Sequence, residues 1–142
     1  MMTTTNLKRD ICSLFEVHDD EKGVQRIVTP LEYSGSGDHV VVRVRPQDGV
    51  FRIDENGEAA FLAALNGGNT DKEVITRWFA ELSEMSDINL DEDETIHVEL
   101  KNEKLIAPYV IKVAAAAQQL YSMAVSRPER QANDFREQIT EV

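Results

Sequence analysis

The clearest pattern in the sequence is a valine at every second position across residues 39–45. These valines share one side of the segment, and the opposite side carries Arg43 and Arg45. A period of two residues is typical of a strand with one buried face. The pattern therefore predicts a half-buried β-strand.

Two neighbouring segments extend this strand into a sheet. Residues 46–49 have the composition of a turn, and residues 50–53 then return antiparallel. If the loop has four residues, Arg43 lies directly opposite Arg52. The β-branched residues at 24–31 indicate a further strand, so we expect an antiparallel three-stranded meander.

Apolar residues at helical spacing mark most of the remaining chain. A first helix contains Leu7 and Phe15 and ends before Asp19. Further helices are predicted at 58–65, 70–85 and 105–123. The last of these is apolar around most of its circumference, which indicates burial on two sides or contact with another subunit.

A small acidic hairpin is predicted between the last two of these helices. Its short strands lie at 88–90 and 95–100 and are joined by an acidic turn. The predicted fold class is α+β, with the three-stranded meander and this hairpin packed against two to three long helices. We place a single domain at 7–125 and treat an amphipathic helix at 126–142 as an appended C-terminal element.

Composition narrows the class of protein. The chain has 26 Asp and Glu against 15 Lys and Arg, a net charge of -11, which disfavours direct binding to nucleic acid or anionic lipid. The one cysteine, Cys12, cannot form an internal disulfide. No apolar run reaches the roughly 20 residues that a membrane helix needs. We therefore expect a cytoplasmic protein that makes no membrane contact.

The order of the elements resembles one bacterial and phage family. The residues that carry the resemblance are Thr29-Pro30-Leu31, Gly37-Asp38, Asp48-Gly49, Phe51-Arg52-Ile53 and Gly57. They resemble the domain-of-unknown-function family numbered eighteen twenty-eight, and the similarity covers residues 7–125. That family has a Ser-Asp-Asp-Gly turn where this chain reads Asp54-Glu55-Asn56-Gly57. The resemblance implies a small cytoplasmic α+β domain of a prophage, plasmid or genomic island, with no established activity.

Much of the negative charge is gathered in residues 81–99. This stretch contains eight acidic residues and no Lys or Arg. The eight are Glu81, Glu84, Asp87, Asp91, Glu92, Asp93, Glu94 and Glu99. One interpretation is a solvated loop and helix end, whose repulsion is screened by water and salt. The other is an anionic surface that docks on a basic partner.

Arg43, Arg45 and Arg52 form a second candidate site, for an anion. Like charges directly opposite each other on paired strands repel unless an anion lies between them. We therefore expect either an internal carboxylate, such as Glu32 or Glu137, or a bound phosphate, nucleic acid or acidic partner.

A metal or hydrolytic site has weak support. Asp38, His39, Asp54 and Glu58 lie near predicted strand ends, but no two of them have the spacing of a helical metal motif. Acidic residues are also common in turns for another reason, since their side chains hydrogen-bond to the nearby backbone. We therefore predict no metal ion and no cofactor.

The function that these features favour is that of a non-catalytic interaction or regulatory protein of phage or mobile-element origin. It would dock its acidic surface on a basic protein partner, and one form of such a protein is a nucleic-acid mimic that inhibits a defence nuclease or a DNA-binding protein. The alternative is a nucleic-acid-associated factor or metal-dependent hydrolase that uses the face with Arg43, Arg45 and Arg52. A homodimer through the C-terminal helices is a further expectation.

Overall fold

The computed structural model describes residues 4–83 and 87–126. The strands are β1 (Glu16–Asp19), β2 (Gln25–Glu32), β3 (His39–Gln47), β4 (Val50–Asp54), β5 (Asn89–Leu90) and β6 (Ile96–Leu100). The helices are α1 (Thr4–Cys12), α2 (Glu58–Leu65), α3 (Lys72–Ser83) and α4 (Ile106–Val125). The predicted helix at 126–142, and with it the expected homodimer contact, lies outside the described residues apart from Ser126.

The strands form one six-stranded antiparallel sheet in the order β1-β2-β3-β4-β6-β5. The α+β class is confirmed, but the expected three-stranded meander with two to three long helices is wrong, because the described residues form six strands and four helices. The meander is the centre of a larger sheet. The acidic hairpin joins it through β6, where Val98 lies opposite Ile53 of β4. This pairing satisfies backbone groups that an isolated meander would leave open along one edge.

At the other edge of the sheet, β1 replaces the end of the predicted first helix. Helix α1 ends at Cys12, and β1 pairs with β2 so that Val17 lies opposite Ile27. Phe15 packs partly buried against the core just before β1. The extended backbone of β1 hydrogen-bonds to the outer edge of β2, an interaction that the helical spacing of nearby apolar residues does not reveal.

The hairpin between β3 and β4 has a two-residue loop, so the register predicted from a four-residue loop is wrong. Asp48 and Gly49 both have positive φ, 48° and 80°. This is the backbone of a type I′ turn, whose twist matches that of the paired strands and which favours the Asp-Gly sequence. As a result Arg45, and not Arg43, lies opposite Arg52.

Helix α4 lies at the centre of the core. Its buried residues are Tyr109, Val110, Val113, Ala114, Ala116, Ala117, Leu120, Tyr121 and Ala124. The helix packs against β2, β3, β4 and β6 on one side and against α2 on another. Near the C-terminal end of α4, the backbone N–H of Asn69 donates to the backbone carbonyl of Ala124 at 2.9 Å. Helix α4 is thus buried on two sides, one of the two arrangements that its composition indicates.

Helix α1 contributes much less to the core. None of its residues is buried, and Leu7 and Ile11 on its apolar side are about half exposed, as is Leu14 just after it. Among the described residues, no helix is both long and apolar enough to cross a membrane.

The face of the sheet opposite α4 is mostly polar and partly accessible to solvent, and we call it the open face. Alternation along the strands and the observed register place one set of side chains there. They are Glu16, His18, Arg26, Val28, Val41, Arg43, Arg45, Arg52, Asp54, His97 and Glu99. Both candidate sites predicted from the sequence meet at this face.

Candidate functional site

Arg45 and Arg52 lie directly opposite each other on the open face. Both donate through Nε to the same atom, Oδ2 of Asp54, at 2.8 Å from Arg45 and 3.2 Å from Arg52. The Asp54 side chain is only 4% exposed. An internal carboxylate, Asp54, therefore offsets this pair of like charges. Of the two carboxylates that the sequence suggested, Glu32 lies 3.5 Å from His39 Nε2, and Glu137 lies outside the described residues.

Arg52 also connects the open face to the acidic turn. Its Nη2 donates to Oδ2 of Asp91 at 3.0 Å. The other carboxylate oxygen of Asp91 accepts from the amides of Asp93, at 3.0 Å, and Thr95, at 3.1 Å. Burial by itself would raise the pKa of Asp91, but the Thr95 amide and Arg52 outweigh it and the pKa is lowered. Asp91 therefore anchors the acidic turn to β4 through Arg52.

The predicted acidic residues differ in their surroundings. Asp87 accepts a hydrogen bond from the Tyr109 hydroxyl at 2.8 Å. Glu99 lies on the open face opposite Arg52, and Glu84 lies outside the described residues. The exposed members are Glu81, Asp87, Glu92, Asp93 and Glu99, and Glu94 is half-buried. The acidic surface available to a partner is thus smaller than the charge pattern predicts.

Part of this acidic turn forms the rim of a cleft of about 650 Å³, which we call the acidic cleft. It lies between the N-terminal part of α2 and the turn after β5. Its lining residues are Asn56, Gly57, Glu58, Ala60, Phe61, Ala64, Thr70, Asp93, Glu94 and Thr95. The carboxylates of Glu58, Asp93 and Glu94 thus border the same concavity as an apolar wall on α2. Phe61 in that wall is 63% exposed.

The electrostatics of the acidic cleft favour a cation. Burial raises the pKa of Glu58, which Arg43 lowers again in part. Burial likewise raises the pKa of Glu94, and Lys72 acts in the opposite direction. Because burial penalises the charged form of both carboxyl groups, a cation that entered the cleft would interact favourably with both carboxylates and lower their pKa values again.

Glu55, beneath the start of α2, holds the acidic cleft in place. Its side chain is completely buried. One carboxylate oxygen accepts from the amide of Ala59 and the other from the amide of Ile96, both at 3.0 Å. Glu55 thus ties α2 to β6, and the two elements that border the cleft have a fixed relative position.

The four residues considered for a metal site have other partners or lie apart. Asp54 is bound by two arginines, and His39 Nδ1 is 2.8 Å from the carbonyl oxygen of Thr29. Glu58 belongs to the acidic cleft, and Asp38 is exposed in a loop. In the part of the chain that the structure describes, no group of three or more His, Cys, Asp or Glu side chains is arranged to hold a metal ion.

Sequence reasoning missed the involvement of Glu58 and Phe61 in an acidic site. They are distant along the chain from Asp93 and Glu94, and the pairing of β6 with β4 brings the two segments together. Alternating acidic and apolar residues at the start of a helix are too common to indicate a cleft. A correct prediction of that strand pairing is the one signal that could have found it.

Comparison with family models, curated proteins and solved structures gave no match. The resemblance to the family numbered eighteen twenty-eight therefore stays a prediction, and the function rests on the site itself.

Proposed function

We propose that this is a non-catalytic interaction protein that docks its acidic cleft on a basic protein partner. The observation that carries the proposal is the convergence of Glu58, Asp93 and Glu94 on one concave surface beside an apolar wall. A run of charged residues that only faces solvent needs no concave surface, whereas a site that binds a basic side chain needs a concavity to hold it.

The chemistry of the acidic cleft fits a lysine or arginine side chain. These residues have an apolar stem and a charged tip, and the stem packs on apolar surface while the tip stays polar. Phe61 and Ala64 are suited to the stem, and Asp93 and Glu94 to the tip. The net charge of -11 would raise the rate at which a basic partner is captured.

Mimicry of a nucleic-acid backbone is a narrower form of this proposal, and the geometry supports it less. A mimic needs several free carboxylates in a regular row, whereas Asp91 is half-buried and paired with Arg52, and Asp87, although exposed, accepts a hydrogen bond from Tyr109. We therefore propose recognition of basic side chains by the acidic cleft, and treat a DNA-binding protein or a nuclease as one class of partner.

The test uses a triple variant of the acidic cleft, Glu58→Gln with Asp93→Asn and Glu94→Gln. Asp91 is left intact because its neutralisation would release Arg52. A matched control carries Asp48→Asn, Glu21→Gln and Glu103→Gln, three exposed positions outside the cleft with the same change in charge. Wild type and both variants are immobilised to capture partners from host lysate, and affinities for a purified partner and for a lysine-rich peptide are then measured by calorimetry.

The cleft variant is expected to lose binding by at least tenfold, about 1.4 kcal/mol, while the control stays within about threefold of wild type. Equal weakening in both variants would mean that net charge alone attracts the partner. Unchanged binding by the cleft variant would refute the proposal.

A further inference from the structure

We infer that the open face carries a second binding site, for a phosphate-type oxyanion, between Arg26 and Arg43. This site is separate from the acidic cleft and does not depend on the function proposed for it. It also differs from the anion site that the sequence indicated, because Arg45 and Arg52 are already occupied by carboxylates.

The observed register places Arg26 and Arg43 side by side. They are direct cross-strand partners on β2 and β3, and His18 of β1 pairs with Arg26 on the outer side. Neighbouring strands are about 4.8 Å apart, so the two guanidinium groups are within reach of one small ligand. Like charges at directly opposed positions destabilise a sheet unless an anion offsets them.

The carboxylates of the open face are unevenly shared among its arginines. Asp54 lies directly opposite Arg43 in the register, yet its Oδ2 accepts from Arg45 and Arg52 and its Oδ1 from the amide of Asn56. Among the described residues, Arg43 has no carboxylate at ion-pair distance. Glu58 acts on Arg43 only from beyond that distance.

Arg26 is only loosely neutralised. Its Nε is 3.4 Å from Oδ2 of Asp20, and the two side chains are 39% and 38% exposed. His18, the outer neighbour of Arg26, is 3.3 Å from Glu16 through its Nε2. Solvent-exposed pairs of this kind interact weakly, so Arg26 remains available to a further anion.

Unpartnered donors are concentrated in the same row of residues. Within residues 4–83 and 87–126, four buried side-chain polar atoms have no hydrogen-bond partner: Arg26 Nε, Arg43 Nη1, His97 Nδ1 and Tyr33 Oη. The first three belong to the row His18, Arg26, Arg43, Asp54 and His97 that runs across the open face. Buried polar atoms in folded proteins nearly always have a partner. Arg26 Nε has the Asp20 carboxylate at 3.4 Å but no hydrogen bond to it, and Arg43 Nη1 has no hydrogen bond among the described residues. The two guanidinium groups on these adjacent strands can therefore both donate to an oxyanion placed between them.

The charge and shape of the two arginines select the class of ligand. A guanidinium group binds oxyanions through parallel N–H donors in a planar fork. A phosphate monoester or inorganic phosphate carries close to two negative charges and three terminal oxygens, so it can accept from both arginines and offset both charges. A single carboxylate offsets only one of the two arginine charges.

The test is a titration of the full chain with inorganic phosphate, in chloride buffers adjusted to constant ionic strength. Binding is followed by calorimetry and by the ¹⁵N–¹H signals of the arginine Nε groups. We expect saturable shifts of the Arg26 and Arg43 signals, with little change at Arg45. Arg43→Gln and Arg26→Gln should each weaken binding by at least tenfold. Arg77→Gln, at an exposed position on α3, removes the same charge and should leave binding unchanged.

Absence of saturable shifts, or equal weakening by Arg77→Gln, would overturn the inference. Circular dichroism establishes that each variant is folded, and Arg26→Gln decides the question if Arg43→Gln does not fold.

A nucleoside monophosphate that binds more tightly than phosphate would support the site and identify a nucleotide as the source of the oxyanion. Binding of a single-stranded oligonucleotide without binding of phosphate would contradict a small-anion site. A cleft variant that carries only Asp93→Asn and Glu94→Gln leaves Glu58, which interacts electrostatically with Arg43, unchanged. It should bind phosphate like wild type, which separates failure of this inference from failure of the proposed function.

Discussion

Asp54 and Glu55 are consecutive acids with opposite surroundings. At the end of β4, Asp54 points to the open face and is bound by Arg45 and Arg52. Glu55 turns into the interior and accepts two backbone amide hydrogen bonds. Successive side chains of an extended chain point to opposite sides, so two residues of similar chemistry acquire different roles. One neutralises a charged face, and the other joins α2 to β6.

The surroundings of Glu55 predict a pH dependence of stability. Burial raises the pKa of Glu55 to about 7, although the amides of Ala59 and Ile96 favour the charged form. Because the pKa in the folded state lies above the ordinary value of 4.5, the folded protein binds the extra proton more tightly than the unfolded chain. The resulting stabilisation is complete below pH 4.5 and is lost as the pH rises through 7. The shift from 4.5 to about 7 corresponds to roughly 3 kcal/mol.

Urea unfolding between pH 5 and pH 8 checks this expectation against Glu55→Gln. The variant should be less stable by about 1 to 3 kcal/mol at pH 5. The side-chain NH₂ of glutamine cannot accept a hydrogen bond, so one of the two backbone N–H groups loses its acceptor. Its free energy of unfolding should fall less than that of wild type as the pH rises. Parallel pH profiles for the two proteins would show that Glu55 does not titrate in this range.

At the scale of elements, local signals specify some boundaries closely and leave others open. The helix predicted at 58–65 is observed at Glu58–Leu65, since it is Ala-rich and flanked by Gly-containing turns. The composition of residues 46–49 predicts a four-residue loop between β3 and β4, although Asp-Gly by itself supports a two-residue type I′ turn. That single difference changes the partner of every arginine on β3. The Asp48-Gly49 sequence of the turn therefore indicates the register of β3 and β4 better than the hydrophobic pattern of the strands does.

Helix α1 provides a prediction at the same scale. None of its residues is buried, so deletion of residues 1–12 should change the free energy of unfolding by no more than about 0.5 kcal/mol. Urea unfolding of the truncated protein tests this. A longer deletion, through Val17, also removes Phe15, which packs against the core, and half of β1. It should be clearly more destabilising. A loss above about 1.5 kcal/mol in the shorter deletion would mean that α1 is held by contacts that its exposure does not show.

At the scale of the whole molecule, the negative charge is large but locally compensated. The chain carries -11 overall, yet its open face gathers four arginines within three adjacent strands. Acidic groups meet arginine at Asp54 and Asp91, whereas among the described residues no basic group is at ion-pair distance from the carboxylates at the rim of the acidic cleft. The protein thus combines an acidic cleft with a face on which arginines and carboxylates alternate, and the composition alone indicates only the excess of acid.

This charge imbalance predicts a stabilising effect of salt. Self-repulsion among excess like charges destabilises the compact state, and added salt screens it between exposed groups. The buried contact of Arg45 with Asp54 should be screened much less. Raising NaCl from about 20 mM to about 300 mM should therefore raise the melting temperature by a few degrees, equivalent to about 1 kcal/mol.

Differential scanning calorimetry measures this shift. The control triple variant at Asp48, Glu21 and Glu103 carries three fewer negative charges and should respond less to salt than wild type. A lower melting temperature in salt would show instead that attractive ion pairs dominate the electrostatics of the fold.

The sequence by itself determined most of the strands and helices, the α+β class and the excess of negative charge, because these depend on local periodicity and composition. The sequence also indicated that arginines on paired strands need an anion between them. Only the tertiary structure identified that anion as the carboxylate of Asp54, which binds Arg45 and Arg52. Pairing between β4 and β6 brings Arg52 to Asp91 and places Glu58 across from Glu94. These contacts join segments far apart in the chain, and their partners depend on strand register and edge pairing, which no local pattern encodes.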